Sequence, residues 1–253
     1  MLFGLHPACN NLYCRSMNIV LFEEFPPQNL IPNGDYRAHH IKKILKLGIG
    51  DKFKVGVING PSGMGTVVSI TKEGISFDFQ KEAEGDALFD LTLLIAQVRP
   101  ICMKRILRDA VMIGVGKIVT FTSDTTERSY AESKLWSTGE YYKYMVDGAM
   151  QSGATGMGEL LLEDDLKSVL NKYSWAGKVV LDVGEGNPSL AAIEELPTPS
   201  VLAIGPERGW SEAERGLFRA NGFQFYSLGN RILRSETASA SALMLLLGRL
   251  GYL

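Results

Sequence analysis

An α/β protein is predicted, with a small β-rich domain preceding a larger parallel-sheet domain. Three features of the sequence lead there. Leu88–Ala96 and Lys178–Val183 are nearly unbroken apolar runs, as strands buried on both faces of a parallel sheet are. A helical pattern over Pro100–Ile113 and a strand pattern over Lys117–Phe121 follow the first run, completing a βαβ unit whose crossover should be right-handed. Before residue 86 the pattern changes to short strands separated by turn residues, the spacing of a small barrel.

Taken in order, residues 1–16 lack the charged start and long apolar core of a secretory signal. They read as a poorly anchored extension, because Met17-Asn18-Ile19-Val20-Leu21-Phe22 opens directly into a strand. The first domain is placed at 17–86, with strands over Ile19–Phe22, Lys52–Ile58, Gly65–Ile70 and Gly74–Phe79. One helix over Tyr36–Leu47, stopped by Gly48, interrupts them. Ile41, Ile44, Leu45 and Leu47 form its apolar side, and Arg37, Lys42, Lys43 and Lys46 its basic side. That basic side suits either solvent or an anionic partner. His39 and His40 suit RNA contact or packing in the barrel. The charged stretch Lys81–Asp86 marks the boundary, and 87–253 form the second domain.

In the second domain a long helix is predicted over Lys134–Met150, its aromatics assigned to core or dimer contact. Lys178–Val183 ends at the loop Gly184-Glu185-Gly186-Asn187-Pro188. Val201-Leu202-Ala203-Ile204 and Gln224-Phe225-Tyr226-Ser227-Leu228 read as two further strands, each closed by a glycine turn. Between them, Ser211 with Glu214 has the form of a capping box, and Asn221-Gly222 closes that helix. A final helix is predicted over Thr237–Leu250. Glycine turns at the ends of adjacent strands either turn the chain or let its backbone approach a small ligand.

Composition narrows the function classes. Of 253 residues, 45% are hydrophobic and 21% charged, and the formal net charge is −2. That is a globular composition without a global basic field, so binding nucleic acid requires a local patch. Cys9, Cys14 and Cys102 form no CxxC pair, and with His6, His39 and His40 give no metal-ligand spacing. A reducing cytoplasm, no metal and no disulfide are expected. No apolar run reaches the roughly 18–20 residues that span a bilayer.

The two C-terminal loops carry the chemistry. Gly205-Pro206-Glu207-Arg208-Gly209-Trp210 and Leu228-Gly229-Asn230-Arg231-Ile232-Leu233-Arg234-Ser235-Glu236-Thr237-Ala238 together resemble the paired signature of the ribosomal RNA uridine N3-methyltransferases called RsmE, a SPOUT-class family. The segment from His39 to Phe53 is similar to the start of the PUA-like barrel of that family. The resemblance implies a PUA-like barrel that helps hold RNA, then an α/β SPOUT domain with a deep trefoil knot that cradles S-adenosylmethionine. It also implies a homodimer acting on ribosomal RNA or the small ribosomal subunit. Backbone groups of Ile204, Gly205, Gly209, Leu228, Ile232 and Leu233 would hold the cofactor, with Leu181, Val183, Pro206, Glu207, Gly229, Arg234, Thr237 and Ala238 completing its site.

Uridine N3 carries a proton that must be removed, or its anion stabilised, before methyl transfer. The resemblance makes Glu207, Arg234 and Glu236 the catalytic candidates, although Glu236 and Arg231 suit an ion pair equally well. The RNA-binding candidates are Arg37, Lys42, Lys43, Lys104, Arg128 and Arg208. The sequence departs from the family pattern at Arg208, where glycine is usual, and at Met112, Met150 and Ala154. If the family glycine has positive φ, Arg208 carries strain. These departures leave two alternatives standing: an RNA-binding protein without the chemistry, or a SPOUT methyltransferase with another RNA target.

Overall fold

The computed structural model describes residues 19–184 and 186–253. The expected extension at 1–16, Cys9, Cys14 and His6 lie outside the described residues. The described chain divides into two compact units. One holds the residues up to Ala87 together with Ala149–Gly156; the other holds Leu88–Gly148 and Met157–Leu253. The segment 149–156, which the sequence places in the second domain, thus groups with the first unit. Thr155 is the reason. Its N–H donates to Asp86 Oδ2 at 2.7 Å, its hydroxyl lies 3.0 Å from the Gly60 carbonyl, and its carbonyl accepts from Asn59 N–H at 2.8 Å.

The first unit is a five-stranded sheet. Its strands are β1 (Val20–Phe22), β2 (Leu30–Pro32), β3 (Lys52–Val57), β4 (Ser62–Ile70) and β5 (Gly74–Ala83), in the order β1-β3-β4-β5-β2. β1 pairs with β3 in parallel, and the remaining pairs are antiparallel. Val20, Phe22, Ile31, Ile41, Val55, Val67, Ile75 and Phe77 form its core. β2 escapes sequence reading because its few residues lie between prolines.

The helix expected over Tyr36–Leu47 is shorter. Helix α1 (Tyr36–His39) is capped by Asp35, whose side chain accepts from Arg37 N–H, and continues as a π-turn over His40–Ile44. Lys46 then adopts φ 54°, ending the helix before Gly48. The wider turn rotates the helical face, so Ile41 is buried but Ile44 is 60% exposed instead of joining the core.

The second unit carries a wholly parallel six-stranded sheet: β6 (Phe89–Ala96), β7 (Val115–Phe121), β8 (Glu159–Glu163), β9 (Gly177–Leu181), β10 (Ser200–Ile204) and β11 (Gln224–Tyr226), in the order β11-β9-β10-β6-β7-β8. β9 therefore lies between β10 and β11, and the two glycine turns do not sit on adjacent strands as the sequence suggested. All three strands are short and apolar, so local pattern gives no order among them.

Helix α2 (Pro100–Ile113) has the predicted ends: Pro100 opens it, and Gly114 at φ 93° donates its N–H to the Ala110 and Val111 carbonyls. The single helix expected over Lys134–Met150 is instead α4 (Lys134–Ser137) and α5 (Tyr141–Ser152), divided at Gly139 with φ 71°. A short α3 (Arg128–Ala131) precedes them, and α6 (Leu166–Lys172) follows β8. α7 (Glu212–Ala220) has the full Ser211–Glu214 capping box. α8 (Ser235–Arg249) begins two residues before the predicted start, bringing Glu236 into its first turn. Phe121, Trp175, Trp210, Phe218 and Phe223, with aliphatic side chains of β6, β7, β9 and β10, fill one core of this unit.

Candidate active site

The C-terminal ends of parallel strands are where open α/β sheets gather ligand-binding loops. Here the loops after β9, β10 and β11 converge on a cleft of about 590 Å³, within the range of small-molecule sites. Leu181, Asp182 and Val183 come from the end of β9 and its loop, Ile204–Trp210 from the end of β10 and its loop, Ser227–Gly229 with Arg231–Arg234 from the β11 loop, and Ser235 and Glu236 from the first turn of α8. Arg99 just before α2, Cys102 of α2, Arg215 of α7 and Ala238 of α8 complete the lining. Every residue named from the family resemblance as holding a cofactor lies on this cleft except Thr237, whose side chain is exposed on α8.

The floor is rigid. Trp210 donates its indole N–H to the Leu181 carbonyl at 2.9 Å, tying the β10 loop to the end of β9. Its ring stacks on Phe121, with 6.3 Å between centroids, and meets Phe218 edge-on at 4.8 Å. A Cβ on Gly205 would come within 3.2 Å of that ring, so glycine is what lets the loop pass over Trp210. The left-handed turn falls at Gly209, with φ 70°, and its carbonyl accepts from the Thr125 hydroxyl at 2.6 Å. Arg208 has no positive φ, and the strain considered for it is absent.

Charged groups are held individually. Asp182 is buried and bidentate with Arg215, at 2.7 Å (Nε to Oδ2) and 3.1 Å (Nη2 to Oδ1). The hydrogen-bonded Asp182 carboxylate raises the pKa of the Arg215 guanidinium, against the opposing effect of burial. Glu207 accepts from Arg99 N–H at 3.0 Å, capping the start of α2, while its side chain stays exposed. Glu236 pairs with Arg105 at 3.4 Å; the partner considered from sequence, Arg231, is exposed on the third loop. Burial pushes the Glu236 carboxyl up. Its own backbone N–H, the Cys102 thiol, and the charges of Arg105 and Arg234 outweigh burial and hold it below the ordinary carboxylate value. The Cys102 thiol is pushed up, first by burial and then by donating to Glu236.

The RNA-binding candidates differ in how each is held. Arg37 pairs with Asp35 at 3.0 Å, donates to the Leu21 carbonyl at 3.2 Å and covers the Phe22 ring at 4.4 Å. Lys42 donates to Asn33 Oδ1, and Lys104 pairs with Glu140 at 2.9 Å. Lys43 and Arg128 are exposed, and Arg208 alone lies on the cleft. His40 is partly buried, and burial lowers its pKa, with a further lowering by His39. Asp182, Arg215, Arg99 and Cys102 escaped sequence reading, since each faces the cleft only through tertiary packing.

Comparison with known proteins agrees with this architecture. Residues 86–247 match a family model described as an RNA methyltransferase domain, and residues 34–80 match one described as an RNA methyltransferase PUA domain. The chain is 35% identical over 236 residues to ribosomal RNA small subunit methyltransferase E of Treponema pallidum, covering 89% of each chain. It is 34% identical over 232 residues to ribosomal RNA small subunit methyltransferase E 1 of Borreliella burgdorferi, covering 89% of this chain and 95% of that one. Among solved structures, ribosomal RNA small subunit methyltransferase E from Neisseria gonorrhoeae, bound to S-adenosyl methionine, superposes with a TM-score of 0.73 at 20% identity, covering 92% of this chain and 98% of that one. A probable rRNA-methyltransferase from Porphyromonas gingivalis superposes with a TM-score of 0.75 at 19% identity, covering 93% and 99%. Identities this low speak to fold. The identity to the two spirochaete relatives and the length matched by the domain model go further: this chain belongs to the ribosomal RNA small subunit methyltransferase E family.

Proposed function

We propose that the protein methylates N3 of a uridine in small-subunit ribosomal RNA, with S-adenosylmethionine as methyl donor. The observation that carries this reading is the meeting of Gly205–Trp210 and Leu228–Ala238 on one cleft. The cleft fits the donor: its volume suits a molecule of that size, Leu181, Ile204 and Leu228 offer apolar walls, and Gly229 leaves open space where a side chain would stand. When bound, S-adenosylmethionine supplies an electrophilic methyl group. Backbone groups of Ile204, Gly205, Gly209, Leu228, Ile232 and Leu233 hold it, with Leu181, Val183, Pro206, Gly229, Arg234 and Ala238 around it. Thr237, exposed on α8, does not face the cleft.

Glu207 is assigned the proton of uridine N3. One carboxylate oxygen is occupied by Arg99 N–H, which orients the other. Arg234 lines the same cleft and is assigned to stabilise the uracil oxygens as N3 becomes anionic. Glu236, the third catalytic candidate, is engaged by Arg105 at 3.4 Å and is assigned to hold α2 through that pair. The first unit, with Lys43 exposed, is assigned to holding RNA as a PUA-like domain, and Arg128 of the second unit to contacting it.

Two further assignments belong to this reading. The first is a trefoil knot, supported by the return of the C-terminal chain beside the β9–β10 connection. Ser227 donates to the Pro188 carbonyl at 2.8 Å and accepts from Leu190 N–H at 2.8 Å, and Arg249 Nε donates to the Ile193 carbonyl at 2.9 Å. The second is a homodimer, supported by exposed apolar side chains on α2 and α8, namely Ile101, Met112 and Met244; a ribosomal RNA substrate assigns it to the cytoplasm.

The test is transfer from methyl-labelled S-adenosylmethionine to unmodified small-subunit ribosomal RNA, followed by digestion to nucleosides. Label in 3-methyluridine is expected. Label in another nucleoside would overturn the N3 assignment. Cofactor binding without transfer to any RNA would favour the non-catalytic alternative.

A further inference from the structure

The lip of the cleft carries side chains that the cofactor and the proton transfer leave unused. Arg208 stands on the β10 loop and Arg231 on the β11 loop; both line the cleft, both are exposed, and neither has an ion-pair partner among the described residues. Between Arg231 and Arg234, Ile232 is 90% exposed. An aliphatic side chain held almost wholly in solvent beside unpaired guanidinium groups is costly to keep bare and is matched by a partner offering anionic oxygens next to flat apolar faces. A single-stranded polynucleotide has both: phosphates for the arginines and base faces for the isoleucine.

We propose that Arg208, Arg231 and Ile232 form a docking collar for the RNA segment that delivers its target base to the cleft. The arginines bind phosphates of flanking nucleotides, and Ile232 covers the face of a neighbouring base. The collar rests on the methyltransferase reading, because it needs RNA at this cleft. It replaces Arg37, Lys42 and Lys104 as local cations, since those are engaged within the protein. It also assigns a use to Arg208, where the family resemblance expects glycine.

Salt dependence separates the two kinds of contact. Each phosphate neutralised on a single strand contributes about −0.7 to the slope of log affinity against log salt, whereas an apolar contact contributes affinity without slope. The experiment measures binding of single-stranded oligouridine to the full-length protein across a potassium chloride series, with S-adenosylmethionine affinity measured alongside. Arg208→Gln and Arg231→Gln should each flatten the slope by about 0.7, and the double variant by about 1.4. Ile232→Ser should weaken binding at every salt concentration with the slope unchanged.

Unchanged slopes in both arginine variants, with cofactor binding intact, would overturn the collar while leaving the methyltransferase reading in place. If Ile232→Ser keeps its RNA affinity but changes the sedimentation of the protein, the loop covers a second copy of the chain and the collar is wrong. A parent protein that binds oligouridine but not S-adenosylmethionine would overturn the methyltransferase reading, and with it the collar's purpose.

Discussion

Single residues in the cleft separate support from chemistry. Glu207 is bound through one oxygen to the start of α2, so removing it disturbs both position and any proton transfer. Glu207→Gln keeps an acceptor for Arg99 N–H but has no carboxylate. It should retain cofactor affinity while losing methyl transfer by about 10²–10⁴-fold if Glu207 takes the N3 proton; single-turnover rates would show this, and a full rate would remove Glu207 as base. Trp210 is different in kind. Trp210→Phe takes away the donor to the Leu181 carbonyl and should cost about 1–3 kcal/mol, because a buried acceptor loses its partner. Urea unfolding measures that cost.

Glu236 links a residue to pH. Its folded pKa is held below the ordinary value of about 4.3, so its interactions stabilise the protein above the unfolded pKa. That contribution fades as pH falls through the lower folded value. Glu236→Gln should therefore lose less stability than the parent as pH falls from neutral to below the ordinary carboxylate value. Equal acid sensitivity in the two proteins would mean that Arg105 and Cys102 do not hold the carboxylate in solution.

At the scale of elements, the cleft is loop geometry imposed by well-stopped helices. The box that opens α7 fixes where the β10 loop ends: Ser211 Oγ accepts from Glu214 N–H at 3.0 Å, and Glu214 Oε2 accepts from Ser211 N–H at 2.9 Å. The same hydroxyl donates to Asp124 at 2.5 Å, joining the loops after β7 and β10. Ser211→Ala should cost about 1–2 kcal/mol through loss of the cap, read as a lowered urea midpoint, and should weaken cofactor binding by loosening the turn that carries Gly209. Ends of this kind are legible in sequence because they are local. Pro100 and Gly114 bounded α2 correctly, and Ser211 with Glu214 announced α7. The break at Gly139 and the π-turn after His39 were not legible. A glycine inside a helical pattern does not announce positive φ, and a widened turn leaves the apolar spacing almost intact.

For the whole molecule, a boundary drawn at residue 86 overlooks the segment 149–156, which completes the first unit from a distant part of the chain. Thr155 is fully buried there, with its hydroxyl between Gly60 and Asp86. Thr155→Val leaves those acceptors without the hydroxyl and should destabilise the protein by about 1–3 kcal/mol, measurable by thermal or urea unfolding. A neutral outcome would mean that the backbone bonds of the segment suffice to hold it.

The amino-acid string alone settled the class of fold, the order of most elements and the loops that meet at the cleft, because these depend on apolar periodicity, local turn chemistry and a distinctive pair of motifs. Three-dimensional packing settled the rest: β9 between β10 and β11, Asp182 with Arg215, Glu236 with Arg105 instead of Arg231, and the exposure of Arg231 and Ile232. Such pairings join residues far apart in the chain and are chosen by which side chains fill the same space, a competition that no local window of sequence contains.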